Sequence, residues 1–394
     1  IKNCNVDNGS TTASAIVVSD GATIGTAGYF KNITIQNIRV RKSFIAIYCI
    51  GVNAALNGQG LNIISNDLNA GGVNANYDVG IYLQDIDGAT VQGNLIGNLV
   101  GTNSYNDKGI WLATGVRNTQ VLGNTINNLN YTGGLGYGGH GIYVSTGITN
   151  ANVRIAHNMI ANITGDGYDY TGASGLDNPT GILLTTAQTG IQLYFNSINL
   201  YGATLNSANA VSIGIRLNTG STADIKNNII VNTLGRSGAS GYGALGILAA
   251  TNNTQTTGIN YNNYYIAPAS GTAYFGQYNT TGQTTLAGWR TANGGDAQST
   301  NVLPVFTSTI DLHLVAGSNG SLSNTGTPIA GITTDFDNQT RNGLTPDMGC
   351  DEFVTPNYGS WVGKTSIDWT DATNWEANFV PINTTDVAIT GGYA

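Results

Sequence analysis

The chain has 394 residues, of which 9% are charged and 55 are glycine, and its net charge is -8. Compact globules carry about a quarter charged residues, so solubility here rests on Asn, Thr, Ser and Gly. No basic run exceeds Arg41-Lys42 and no apolar stretch reaches the ~18 residues of a membrane span, so nucleic acid and anionic membrane are poor expected partners and direct membrane insertion is not expected.

Residues 1–79 hold strand-like runs at Ala15 to Val18, Ile33 to Ile38 and Phe44 to Ile50, with turns at Asp20-Gly21 and Asn57-Gly58. Lys31, Arg39, Arg41 and Lys42 form the one local basic excess, expected as a solvated edge, with an acidic-glycan contact as the alternative. Cys4, Cys49 and Cys350 are too few and too far apart for a disulfide framework or a metal site. They are expected as buried small apolar residues, a Cys4–Cys49 bridge being the alternative.

From Gly80 onward the chain repeats itself. Gly80-Ile-Tyr-Leu, Gly109-Ile-Trp-Leu, Gly141-Ile-Tyr-Val, Gly181-Ile-Leu-Leu, Gly214-Ile-Arg-Leu and Gly246-Ile-Leu follow one another at intervals of 29, 32, 40, 33 and 32 residues. A period near thirty calls for a solenoid or propeller. About fifteen residues after each glycine comes a second marker: an apolar residue, two variable positions, an Asn, one variable position and another apolar residue. Its asparagines are Asn66, Asn94, Asn124, Asn158, Asn196, Asn228 and Asn262, with a loose match at Asn37 and Cys4 in the slot at the start.

The apolar runs are short, rich in β-branched residues and broken by Gly or Asn, which suits strands and leaves no room for helices. Two or three short strands per turn wind into an all-β parallel β-helix of about nine coils over residues 1–262, right-handed as parallel crossovers are. At ~4.8 Å per coil the rod is about 40 Å long. The slot Asn is expected to adopt the left-handed corner conformation and to hydrogen-bond from coil to coil as a ladder. Arg216 and Lys226 are expected to point to solvent.

One connection in each repeat swells, between the Asn marker and the next Gly-Ile strand. Insertions at one place in a repeat emerge on one face. They carry Tyr105, Tyr131, Tyr137, Tyr168, Tyr170, Tyr201 and Tyr242, aromatics able to stack on sugar rings or a partner protein, or to lie over the strands beneath.

Residues 263–355 leave the period and are expected to close the end of the solenoid, since a terminal apolar layer needs a cover. Leu286-Ala-Gly-Trp289 is read there as an irregular strand. Asp335, Asp337, Asp347 and Asp351 offer oxygen ligands for calcium, without EF-hand spacing; turn-forming acids are the alternative, and no cofactor is otherwise expected. Residues 356–394 bring Trp361, Trp369 and Trp375 within fifteen positions and read as the opening of a further β-module, so the chain is expected to be part of a longer protein.

The segment Pro304 to Phe353, with Asp311-Leu-His-Leu314, Asp335-Phe-Asp337, Arg341 and Asp347-Met-Gly-Cys-Asp-Glu-Phe353, resembles the closing part of right-handed parallel β-helix proteins of the pectate-lyase-like superfamily. The tryptophan-rich opening that follows is similar to modules of very large secreted surface proteins of gliding bacteria, many exported by the type IX route. The resemblance implies a secreted or cell-surface bacterial module, often an adhesin.

It also implies where chemistry would sit. In the polygalacturonase branch, acids and a Gly-His-Gly lie before successive strands on one face; this chain has Asp78, Asp107 and Gly139-His140-Gly141. A carboxylate pair with a His suits general-acid hydrolysis of glycosidic bonds. The doubled acid of that branch is here Asp107-Lys108, however, and its substrate-binding Arg-Ile-Lys is replaced by Thr180-Gly-Ile-Leu-Leu184. Nor does any coil stack the basic residue and calcium carboxylates of a lyase. The expected function is therefore a non-catalytic adhesin stalk or surface-fibre subunit, partnered by other copies or modules and by extracellular glycans. A polysaccharide hydrolase or lyase, and a passive carbohydrate-binding module, are the alternatives.

Overall fold

The structure is a computed structural model that describes residues 1–23, 25–168, 170, 176–202, 205–238, 241–353, 360–375, 380 and 388–389. Its body is a right-handed parallel β-helix of about 8 turns. Three sheets run its length, each strand pairing with its counterpart one coil away. The A sheet has eight strands from Thr34–Gln36 to Thr256–Asn260, and the B sheet nine from Asn5–Asp7 to Asn263–Ile266. The C sheet runs from Ile16–Val18 to Thr272–Tyr278 and adds one antiparallel strand, Thr281–Gln283. The parallel stack thus continues to Tyr278, beyond the boundary at 262 expected from the marker.

The Gly-Ile motif has a steric cause. Ile81, Ile110, Ile142, Ile182, Ile215 and Ile247 stack in register down the C sheet, each 0% exposed. A Cβ on Gly109 would lie 2.6 Å from the Gly141 carbonyl oxygen and 2.6 Å from Ile126 Cγ2. Gly141, Gly181 and Gly214 meet their neighbouring coils in the same way, so only glycine lets the C strand close over the B strand at this corner.

The marker asparagines form the expected coil-to-coil ladder in one buried column, but they do not take the expected left-handed conformation. Positive φ falls one residue earlier, at Ser65, Gly93, Gly123, His157, Phe195, Asn227 and Tyr261, between 54° and 62°. The asparagine itself turns inward. Nδ2 of Asn66, Asn94, Asn124, Asn158, Asn196 and Asn228 each donates to Oδ1 of the next, at 2.8–3.0 Å. The same Oδ1 accepts the backbone N–H of the preceding marker asparagine, so the column satisfies the amides that the corner strips from the sheets. It ends on Asp296, whose Oδ1 accepts from Asn262 Nδ2 at 3.3 Å.

Residues 285–299 plug the C-terminal end of the core. Leu286–Asn293 is an α-helix rather than a strand, capped by Thr285 Oγ1 on the Gly288 amide at 3.0 Å and stopped by Gly294 at φ 69°. These end signals outweigh a segment too short for apolar periodicity. Trp289 is 0% exposed and donates to Asp296 Oδ2 at 2.9 Å.

Residues 304–353 do not close that end. They run back along the flank as a strap over the outward side of the B sheet, where Met159, Ala161, Ile229 and Val231 are apolar and buried under Leu312, Leu314, Leu322, Met348 and Cys350. Arg341 pins the strap to the corner, its guanidinium 4.0 Å from the Phe195 ring centroid and its Nη1 3.1 Å from Glu352 Oε2.

Two smaller expectations are also corrected. Cys4 occupies the marker slot but is exposed, because it lies in the first coil, and all three cysteines are free. Arg216 is 0% exposed beneath the loops rather than solvated. Farther on, Trp361, Trp369 and Trp375 form one aromatic nest with centroids 4.5–5.5 Å apart; residues 356–359, 376–379, 381–387 and 390–394 of that stretch lie outside the described residues.

Candidate functional site

The C sheet brings Asp78, Asp107 and His140 onto three successive coils. Lys108 N donates to Asp78 O at 2.9 Å and His140 N to Asp107 O at 2.8 Å. Register then stacks His140 on Lys108 and not on the aspartates. All three candidate side chains are buried: Asp78 is 4% exposed, Asp107 and His140 0%. Part of the enclosure comes from the loop after the fourth marker asparagine, Asn158, whose Leu176 carbonyl lies 3.0 Å from His140 Nε2. Residues 169 and 171–175 of that loop lie outside the described set, as do 203–204 and 239–240 of the next two.

Burial sets the electrostatics. It pushes the Asp107 carboxyl well above the usual carboxylate range, and the Asp78 charge adds to this against the pull of Lys108. Neither Asp107 oxygen reaches a hydrogen-bond partner among the described residues; the Gly101 amide lies beside it without completing one. Asp78 is raised by burial and held back by Lys108. The Lys108 ammonium is lowered by burial against three carboxylates, donates to Asn106 O at 2.6 Å and lies 4.8 Å from the Trp111 ring centroid. His140 falls to about 3 through burial and the neighbouring Lys108 and Arg216 charges. A glycosidase needs both carboxyls open to a sugar and a water. Here burial favours the neutral form of Asp107, the imidazole stays neutral, and all three side chains are buried among the described residues.

The loop tyrosines divide by exposure. Tyr105 and Tyr168 are 60% and 54% exposed, and Tyr137, Tyr201 and Tyr242 are half-buried. Tyr131 and Tyr170 are buried, so neither ring face is free for a partner: Tyr131 donates to Asn103 O at 2.7 Å, and Tyr170 accepts from Gln277 Nε2 at 2.6 Å. Tyr201 and the rim of Tyr131 line a cleft of ≈ 420 Å³ with Asp166, Asn162 and Asn206. Asp166 Oδ1 there accepts from Asn206 Nδ2 at 2.8 Å.

The calcium candidates are committed to backbone amides. Asp335 accepts from Asp337, Gln339 and Glu352, Asp347 from Asn324 and Phe353, and Asp351 from Leu314. Asp337 Oδ2 lies 2.9 Å from His313 Nε2. Among the described residues no group of three or more His, Cys, Asp or Glu side chains is placed to hold a metal ion. Of the basic cluster, Arg39 and Arg41 both pair with Asp67, at 2.9 and 3.8 Å.

Sequence reasoning passed over two features. Tyr48, Tyr82, Trp111 and Tyr143 form a continuous aromatic row on the outer C sheet, with centroids 4.9–5.4 Å apart; their signal was the third position of the Gly-Ile motif. Arg154, on the outer A sheet, faces the strap across a cleft of ≈ 140 Å³, and no local pattern marks it. Compared with known proteins, the chain matches no family model and no curated sequence.

Proposed function

We propose that the chain is a non-catalytic structural or adhesive module of a larger bacterial protein, secreted or held at the cell surface. On this reading it is built on the pectate-lyase-like plan, exported by the type IX route, and partnered by other copies or modules of its protein. The observation that carries the proposal is the burial of Asp78, Asp107 and His140, which among the described residues leaves this acid and histidine cluster little surface to offer a substrate. A rod whose coils are joined by backbone ladders and an amide column transmits load without needing charge. Fold alone does not decide function, so the test is chemical. Wild type and the Asp78→Asn, Asp107→Asn double variant are incubated with a panel of neutral and acidic polysaccharides, and new reducing or unsaturated ends are counted. Equal, background-level release from both is expected; release by wild type that the variant loses while keeping its circular dichroism would sink the proposal.

A second reading, passive carbohydrate binding, is favoured by the cleft beside Tyr201, which combines an aromatic ring with Asp and Asn side chains. Such sites fix a sugar with few polar groups around an apolar face. Tyr201→Ala would then abolish binding on a glycan array without altering the fold.

A further inference from the structure

Gln92, Gln120 and Arg154 project from neighbouring coils of the outer A sheet toward the strap. Arg154 is held by one bond, Nε to Gln192 Oε1 at 2.8 Å. Its two terminal nitrogens find no acceptor among the described residues, and none of the described ion pairs includes it. The side-chain amides of Gln92 and Gln120 likewise have no hydrogen-bond partner among the described residues.

The facing wall is 331–336 and Asn338 of the strap. Gly331 sits there at φ 78°, and a Cβ on it would come within 3.3 Å of Arg154 Nη1, so glycine leaves the guanidinium unobstructed. The one carboxylate in the lining, Asp335, is saturated by three backbone amides and lies in the field of buried Arg341. His157 at the back of the cleft is neutral, driven down to about 3 by burial and by Arg341 and Arg154. The cleft therefore presents a fixed guanidinium fork and two amide donors, with no acid answering the fork.

We infer that this cleft binds an oxyanion, a carboxylate or sulfate group, with Arg154 as the charged fork and Gln92 and Gln120 as neutral donors. Planar guanidinium matches such groups through paired charge-assisted hydrogen bonds. At ≈ 140 Å³ the space holds one such group and not a chain. The group is either a free inorganic anion or the acid of a glycan lying along the A face. The site does not depend on the proposed module role, being on a different face from the Asp78 cluster and the tyrosine loops.

The test is isothermal titration with sodium sulfate and with sodium D-glucuronate at constant ionic strength, on wild type, Arg154→Gln and Arg154→Lys, with near-ultraviolet circular dichroism as the folding check. Saturable binding is expected, weakened about tenfold or more by Arg154→Gln and less by Arg154→Lys. Saturation by sulfate as tight as by glucuronate identifies a free-anion site; a clear preference for glucuronate identifies an acidic sugar. Should Arg154→Gln fail to fold, Gln120→Ala is expected to weaken binding about threefold. No saturable binding up to about 10 mM, or equal binding by the folded variants, overturns the inference.

Discussion

Replacing Asn124 by alanine tests whether the buried amide column holds the coils together. Asn124 Oδ1 accepts from Asn94 Nδ2 at 2.9 Å and from Asn94 N at 3.0 Å, and its Nδ2 donates to Asn158 Oδ1 at 2.9 Å and Val91 O at 3.0 Å. Alanine keeps only the backbone bonds, Asn124 N to Asn158 Oδ1 and Met159 N to Asn124 O. The Asn94 N–H is then orphaned in a fully buried site, which costs ~1–3 kcal/mol. Asn94 Nδ2 retains Ile63 O at 2.9 Å, while the Val91 carbonyl loses a donor. With the small cavity left behind, the total is about 3–5 kcal/mol. Coils of a solenoid depend chiefly on their neighbours, so the loss should concentrate in residues 90–160. Urea unfolding gives the stability change, and amide exchange at Asn94 locates it. The control is Asn128→Ala, in the half-exposed outer ladder from Asn98 to Asn162. Water replaces its bonds, and its φ of 55° leaves about 1–2 kcal/mol of left-handed strain. An Asn124→Ala effect no larger than that of Asn128→Ala would refute the role of the column.

Arg341→Ala should release the strap: it removes the charge partner of Glu352, whose carboxylate keeps only the Asn342 and Asp347 amides, and the bonds to the Asp347, Gly349 and Cys350 carbonyls. Breaking a buried pair from one side costs about 3–5 kcal/mol; limited proteolysis should cut within 329–346 while exchange protection of the three sheets is unchanged. The histidines give opposite pH responses. His140 and His157, lowered to about 3 chiefly by burial, stay neutral in the fold, so the unfolded chain takes up protons first and stability is lost as pH falls from about 6.5 toward 3, by at most ~1.4 kcal/mol per unit for each. For His313, burial acts downward but the hydrogen bond to Asp311 and the Asp337, Asp311 and Asp351 charges raise it overall. Its stabilising contribution is complete below the unfolded value and lost as pH rises through the folded one. Proton NMR of the imidazoles, with His→Gln variants for assignment, should show His313 titrating above the ordinary 6.5 and the other two silent down to about pH 5.

What could be read in advance was whatever repeats. The glycines, the inward isoleucines and the marker asparagines recur because each coil meets the same neighbour in the same way, so one contact is written six or seven times along the chain. The conformational reason for the asparagine was misplaced by one residue. Tolerance of positive φ is a property of single residues, and the corner in fact accepts Phe195, His157 and Tyr261 there. What selects asparagine is a two-sided demand that only a side-chain amide meets, accepting from one coil while donating to the next.

The strap escaped for the complementary reason: its contacts occur once. Its trace in the sequence is an outward column of the B sheet that turns apolar partway, from Thr125 and Asn127 to Met159 and Ala161, with Ile229 and Val231 two coils on. Read coil by coil, that change marks where solvent gives way to a partner and asks for an apolar segment elsewhere in the chain. Pro304 to Phe353 lies outside the coils and carries the apolar residues that answer it. The same reasoning separates the two candidate sites. Asp78, Asp107 and His140 were visible because they lie just before the repeating glycines, at strand entries where their side chains are buried. Arg154 stands on an outward position opposite a unique segment, where recognition of something other than the chain itself is free to differ from coil to coil.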